Sequence, residues 1–314
     1  IGTGHGMDLK WERAAIARRR KVFAIISIVL IILLAVIAVR KNTQEWMRYQ
    51  KEYYKKLSDK LKDPQFEHKS PKVEQIWLPQ LETTDRCTTC HLGVNNPLFA
   101  DAEQPFKAHP GDLLKNHPVE KYGCTICHQG DGQAVAVEAT HGPVPHLNRQ
   151  LLSGDFVQSS CVKCHIDLHD TSVTEKDFPV PVFFEGRNLT FQFGCRVCHK
   201  INGEGGAIGP ELTGLGSKTE LEFLLVHDFQ HVKDFQRAKG ISTMAQWIYE
   251  HFLDPTAIVP GDPALKIPPT LMPNFGMSTG QAKALTIYVL GLRNPAVDAV
   301  PHEYISQKRL VKGN

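Results

Sequence analysis

The sequence predicts a mainly α-helical chain with much irregular loop. It has one N-terminal transmembrane helix, a compact domain with three cysteine motifs, and a C-terminal α domain with a fourth. Three observations predict this. Residues 22–39 (VFAIISIVLIILLAVIAV) contain no charge. All eight cysteines fall in four Cys-x-x-Cys-His motifs, three of them crowded into residues 87–170. From residue 182 to 293 a single motif is followed by a long stretch of helical patterning.

Residues 1–21 read as a cytoplasmic N-terminus. Lys10, Arg13, Arg18, Arg19, Arg20 and Lys21 outnumber Asp8 and Glu12 there, and the positive-inside rule keeps such a flank in the cytoplasm. Residues 22–39 are long and apolar enough for a membrane anchor in a lipid bilayer. A cleaved signal peptide is the competing reading, since Val36-Ile37-Ala38 is a passable cleavage site; a retained single-pass anchor is the expectation. Residues 40–86 form a stalk helix and a polar linker. Trp46, Tyr49, Tyr53, Leu57 and Leu61 recur at helical spacing over 40–62, and Pro64 ends that run. Either a solvated stalk or a helix packed on a partner subunit fits this pattern.

The four motifs are Cys87, Cys90 and His91; Cys124, Cys127 and His128; Cys161, Cys164 and His165; Cys195, Cys198 and His199. Zinc half-sites and redox thiol pairs also use Cys-x-x-Cys, but neither needs histidine next. With 15 histidines in 314 residues, four chance placements have odds on the order of one in a hundred thousand. The motif is that of c-type haem attachment, so the cofactors expected are four covalently bound haem c. The cysteines form thioethers to the haem and the histidines bind the iron. Haem is attached in this way on the outer face of bacterial membranes. The expected location is therefore a bacterial inner membrane, with the N-terminus cytoplasmic and the haem domains periplasmic. The net charge of +3 suggests no nucleic-acid partner.

Residues 87–181 read as a trihaem domain and linker, with the haems themselves supplying most of the apolar interior and 171–181 as the linker. Residues 182–293 read as a monohaem domain, and its last helix lies at 278–292, capped by Ser278. Residues 294–314 are a tail with no readable signal, or one that docks on a neighbour. Each iron needs a sixth ligand or an open position, and methionine raises the potential relative to a second histidine. No methionine falls between 87 and 194, whereas His109, His117, His141, His146 and His169 do. Three of these five are expected to serve the first three haems; His109, His117 and His141 are favoured, His146 is next, and His169 is last. Met272, in PPTLMPNFG at 268–276, is the sixth ligand expected for the fourth, with Met277 as its rival.

Residues 183–293 resemble class I cytochrome c. The resemblance rests on GCRVCH, on Gly209-Pro210 in AIGPELTG, and on the MPNF loop before a final helix. It implies that the Pro210 carbonyl holds Nδ1 of His199 and that Met272 binds the iron. The stretch 217–255 departs from the family. It is longer, carries His227, His231 and His251, and suits a docking insertion.

The three-motif part (DRCTTCHLGV…HPGDLLKNHPVEKYGCTICHQGDG…THG…SSCVKCH) resembles the multihaem subunits of bacterial quinol-oxidising complexes of the cytochrome bc type. This implies a membrane cytochrome b-type partner, with an iron–sulfur subunit beside it. The expected function is electron relay from a membrane quinol-oxidising partner, through three bis-histidine haems to a His/Met haem, and on to a soluble or membrane acceptor. The alternatives are a small-molecule reductase or peroxidase with one open haem, and a direct membrane quinol dehydrogenase. The chain is similar in outline to the tetrahaem quinol dehydrogenases, but 47 residues separate Val39 from Cys87. An upright helix over 40–62 would rise about 34 Å, far from the bilayer.

Overall fold

The computed structural model describes residues 5–42, 44–144, 147–226, 240–264, 266–298 and 300–306. It is mostly helical, 53% helix against 4% strand, and divides into two compact units at residues 72 and 73.

The first unit holds α1 (His5–Asn42) and α2 (Glu45–Leu61). In α1 the apolar window is long and hydrophobic enough to cross a membrane, and none of it is buried in the chain. A helix apolar all round needs a nonpolar surrounding, which fits the expected anchor. The periodicity over 40–62 forms α2, with Trp46, Tyr53 and Leu57 buried together with Gln50, Tyr54 and Ser58. Leu61 is exposed, so the buried face is not the simple apolar stripe expected. Gln50 accounts for its own polarity. Its amide donates to the Lys72 carbonyl at 2.6 Å and accepts from the Lys72 N–H at 2.9 Å. Lys62, in the left-handed region at φ 55°, closes α2, ahead of Pro64.

The second unit begins with a small antiparallel hairpin, β1 (Ile76–Leu78) and β2 (Thr83–Asp85), which pairs Ile76 with Asp85 and Leu78 with Thr83. The sequence reading of this stretch as plain linker misses it. From residue 87 to 153 the chain makes only short turns and one-turn helices: α3 (Leu113–Asn116), α4 (Val119–Tyr122), α5 (Thr125–His128) and α6 (Val137–His141). Few apolar side chains are buried there, chiefly Phe99, Phe106, Val119 and Leu152.

The main apolar core lies C-terminal. Helix α7 (Pro181–Gln192) packs on α12 (Thr279–Leu290). Between them in the chain come α8 (Cys195–Cys198), the short strands β3 (Lys200–Ile201) and β4 (Glu204–Gly205), then α9 (Glu220–Val226), α10 (Met244–Leu253) and α11 (Pro255–Ile258). Gly186 lets α7 and α12 meet at backbone distance, since a β-carbon there would fall on the Ala284 carbonyl and 2.8 Å from Tyr288 Cβ. Ser278 and Gln281 form a capping box at the start of α12. The sequence predicts one apolar face on this helix, but residues from Ala282 to Leu290 are buried nearly all round, because α7, α10 and the segment before Cys161 all pack on it.

One expectation is corrected here. Residues 171–181 are no slack linker: Val173 and Val180 enter the C-terminal core. Arg187 of α7 donates to the carbonyls of Leu168 at 2.9 Å, Asp170 at 2.6 Å and Val173 at 2.7 Å. The described part of the tail, which carries no readable signal in the sequence, docks on its own chain. Tyr304 is buried, donates to the Lys121 carbonyl at 2.9 Å and packs on Tyr122, while the Ser306 N–H donates to the Cys164 carbonyl at 3.0 Å. In the stretch 217–255, Phe223, Trp247, Ile248 and Phe252 join the core and His251 stacks on Trp247; His227 and His231 lie outside the described residues.

Two predictions follow from this packing. Gly186→Ala should lower stability by about 1–3 kcal/mol, because overpacking against backbone outweighs the gain in helix propensity. An unchanged midpoint in chemical denaturation would refute the close crossing. His169 sits between Phe183 and Tyr288, and burial pushes its pKa from the ordinary 6.5 down to about 4. The unfolded ring takes up a proton that the folded ring refuses. Its contribution is therefore intact above pH 6.5 and falls by up to about 3 kcal/mol as pH drops toward 4. His169→Gln should flatten that acid slope in a pH series of denaturation curves; identical slopes would reject the assignment.

Candidate haem-binding sites

Each motif closes one turn of backbone in the same way. The histidine N–H donates to the carbonyl of the first cysteine, at 3.0 Å for His91 and 2.9 Å for His128, His165 and His199. Residues three and four apart share one side of such a turn. The spacing therefore brings two thiols and an imidazole to one side, as attachment and ligation of one haem require. None of the eight cysteines is in a disulfide, and all are half-buried. Burial pushes Cys161 up to about 12 and Cys164 up to about 11, and raises Cys127 and Cys195. Cys87 is raised by a hydrogen bond with Cys124 and then by burial. Reactive redox thiols are shifted the other way.

Five of the candidate imidazoles make a contact through Nδ1. His199 Nδ1 lies 2.8 Å from the Pro210 carbonyl oxygen, the contact the class I resemblance implies. His128 Nδ1 meets the Leu152 carbonyl at 3.0 Å while the Leu152 N–H donates back to the His128 carbonyl at 2.7 Å. His117 Nδ1 meets the Leu113 carbonyl at 3.1 Å, His109 Nδ1 the Pro110 carbonyl at 3.1 Å, and His141 Nδ1 the Thr140 hydroxyl at 2.8 Å. A carbonyl at Nδ1 fixes the tautomer and leaves Nε2 for a metal.

The rings also pair. His91 faces His141 with centroids 5.9 Å apart, and His117 faces His165 at 6.1 Å. Two imidazoles bound to opposite sides of one metal, at about 2 Å each, have centroids about 6 Å apart. His109 lies near enough to His128 for their charges to repel. Burial first, and then the facing imidazole, lower the pKa of His91 and His165, which favours the neutral form that binds metals. His146 lies outside the described residues. His169 goes to the C-terminal core.

At the fourth motif, Gly209 lies flat on the imidazole; a β-carbon there would come within 2.7 Å of His199 Nδ1. The Met272 loop is pinned by Met272 N–H to Thr270 Oγ1 at 3.1 Å, Gly276 N–H to Asn274 Oδ1 at 2.9 Å, and Phe275 against Phe193. Met272 is partly buried beside the core, whereas Met277 is a member of it.

The motifs are also tied to one another, and here sequence reasoning missed residues. Asp85 is fully buried. Its Oδ1 accepts from the Cys87 N–H at 3.0 Å, and its Oδ2 from the N–H groups of Cys124 at 2.8 Å and Thr125 at 3.0 Å. Burial works to raise this carboxyl, but the backbone bonds outweigh it and hold its pKa below the usual carboxylate range. The Asp-x-Cys spacing hints at the first of these bonds; nothing in the sequence points to the other two. Lys163, beside Cys164, donates to the Ile126 carbonyl inside the second motif at 2.8 Å. Burial and then Arg293 push its ammonium down to about 8. With Arg149 it lines a cavity of about 400 Å³ beside Thr125 and Gln129. The residues present thus fit haem: thiols outside any disulfide, imidazoles at His128 and His199 held by Nδ1, and closely paired rings.

Residues 184–293 match the Cytochrome c family. No curated protein and no solved structure matches the chain. The cysteine turn, the Pro210-held His199, the Met272 loop and the α7–α12 crossing all fall within the matched span, and residues 184–293 are accordingly a cytochrome c domain, whose work is haem-based electron transfer.

Proposed function

We propose that the chain is a membrane-anchored tetrahaem cytochrome c that relays electrons from a membrane quinol-oxidising partner to an external acceptor. The observation that carries this reading is the facing of motif and non-motif histidines. His141 meets His91 and His117 meets His165 at the separation two ligands of one iron require. His109, the remaining favoured histidine, is assigned to His128, and Met272 to His199.

Bound haem supplies one-electron transfer at iron. The chain supplies the rest. Nδ1 contacts orient His128 and His199, the paired histidines would serve as second ligands, and Met272 would give the fourth site a higher potential than bis-histidine sites. Electrons then run from the first three motifs to the cytochrome c domain. Helix α1 anchors the chain in a bacterial inner membrane with its basic end cytoplasmic and the haem region periplasmic. The partners are a cytochrome b-type subunit and an iron–sulfur subunit, with a soluble or membrane-bound acceptor beyond. The domain limits at 87–181 and 182–293 are functional ones, since the two parts share packing.

Mass mapping of proteolytic peptides should find haem on all four motifs; a bare motif would sink the tetrahaem reading. The reduced protein should bind little carbon monoxide at native pH, whereas His141→Ala and His117→Ala should each open one site to it. Substantial binding by the unaltered chain would favour a small-molecule enzyme instead. Met272→Ala should abolish the highest-potential component in a redox titration; an unchanged titration would reject that ligand.

A further inference from the structure

We infer that Asp85 is a shared positioning residue for the haems of the first and second motifs, clasping both attachment turns with one carboxylate and leaving its negative charge between them. This rests on the proposed attachment of haem at those motifs.

The geometry divides the carboxylate by motif. One oxygen takes the N–H that opens the Cys87 turn, and the other takes the first two N–H groups of the Cys124 turn. Both turns end in an iron-binding histidine, so a single side chain sets the relative position of the two attachment points. The hairpin presents Asp85 from the end of β2, and the buried Leu78 packs beside it. Gly123, with φ 64°, makes the space: a β-carbon there would lie 2.6 Å from Leu78 Cδ1 and 3.1 Å from Asp85 Oδ2. Asp85, Cys87 and Cys124 bring a carboxylate oxygen and two sulfurs within 4.8 Å of one another. That grouping could hold a metal ion, but thioether formation engages both thiols and leaves the carboxylate to the backbone. A buried anion beside two redox centres opposes the arrival of an electron at either. The clasp therefore lowers both potentials together, keeping this pair on the donor side of the cytochrome c domain.

The test is Asp85→Asn in the full-length membrane protein, read by redox titration and by peptide mass mapping of haem. Asparagine keeps the shape but removes the charge and one acceptor. The expected result is four haems retained, with two of the four redox components raised by about tenfold in their reduction equilibrium, about 59 mV for one electron, and the Met272-dependent component unmoved. Four haems with no component shifted would overturn the inference, and so would a uniform shift of all four. If the variant loses haem, the loss should fall on the Cys87 and Cys124 peptides; loss at Cys161 or Cys195 instead would equally overturn it. Failure of the tetrahaem reading is seen separately, as bare peptides in the unaltered chain.

Discussion

The hydrogen bond from each motif histidine to the carbonyl of its first cysteine is the constraint on which the rest depends. It costs little, being one backbone bond of a kind found in any helix, yet it converts a linear spacing into a three-point site. The surroundings exist to hold four such turns in fixed relation. Between residues 87 and 153 regular structure is too short to do this by helix packing. The work passes to polar side chains and carbonyls: Asp85 between the first and second turns, Lys163 between the second and third. Elsewhere in the second unit, an ordinary apolar core built on α7 and α12 takes over.

These two regimes meet at the third motif. Val162 and Leu168 belong to the C-terminal core, although their motif is one of the closely spaced three. Arg187 enforces the join by spending its guanidinium on three backbone carbonyls from the 168–173 segment. A buried cation is expensive; the carbonyls satisfy its two terminal nitrogens, while its Nε finds no hydrogen-bond partner. For a relay the consequence is mechanical: the third site and the cytochrome c domain cannot move independently without breaking this fork.

Much of this was legible in the residues. The uncharged run announced α1, Ser278 announced the start of α12, and the Gly209-Pro210 pair announced the carbonyl that holds His199. Long-range ties were not legible. Asp85 lies 39 and 40 residues from the N–H groups it binds in the second motif, and Arg187 on α7 looks like any helix arginine until its carbonyl partners are known. The expected linker at 171–181 misled because most of its polar residues face outward, while Val173 and Val180 turn in and Phe178 packs against the core. The single-face expectation for α12 failed for a related reason: periodicity detects a helix with one dry side, not one surrounded.

The ring pairs have a consequence for how the protein is made. His141 stands beyond the second motif yet faces the first, and His117 stands before the second motif yet faces the third. The partnerships are interleaved rather than nested within local segments. If these rings serve the sites proposed for them, the first cysteine pair is made well before the imidazole that completes its site, and the third site follows a ring already made. Such interleaved sites would close together rather than as separate beads.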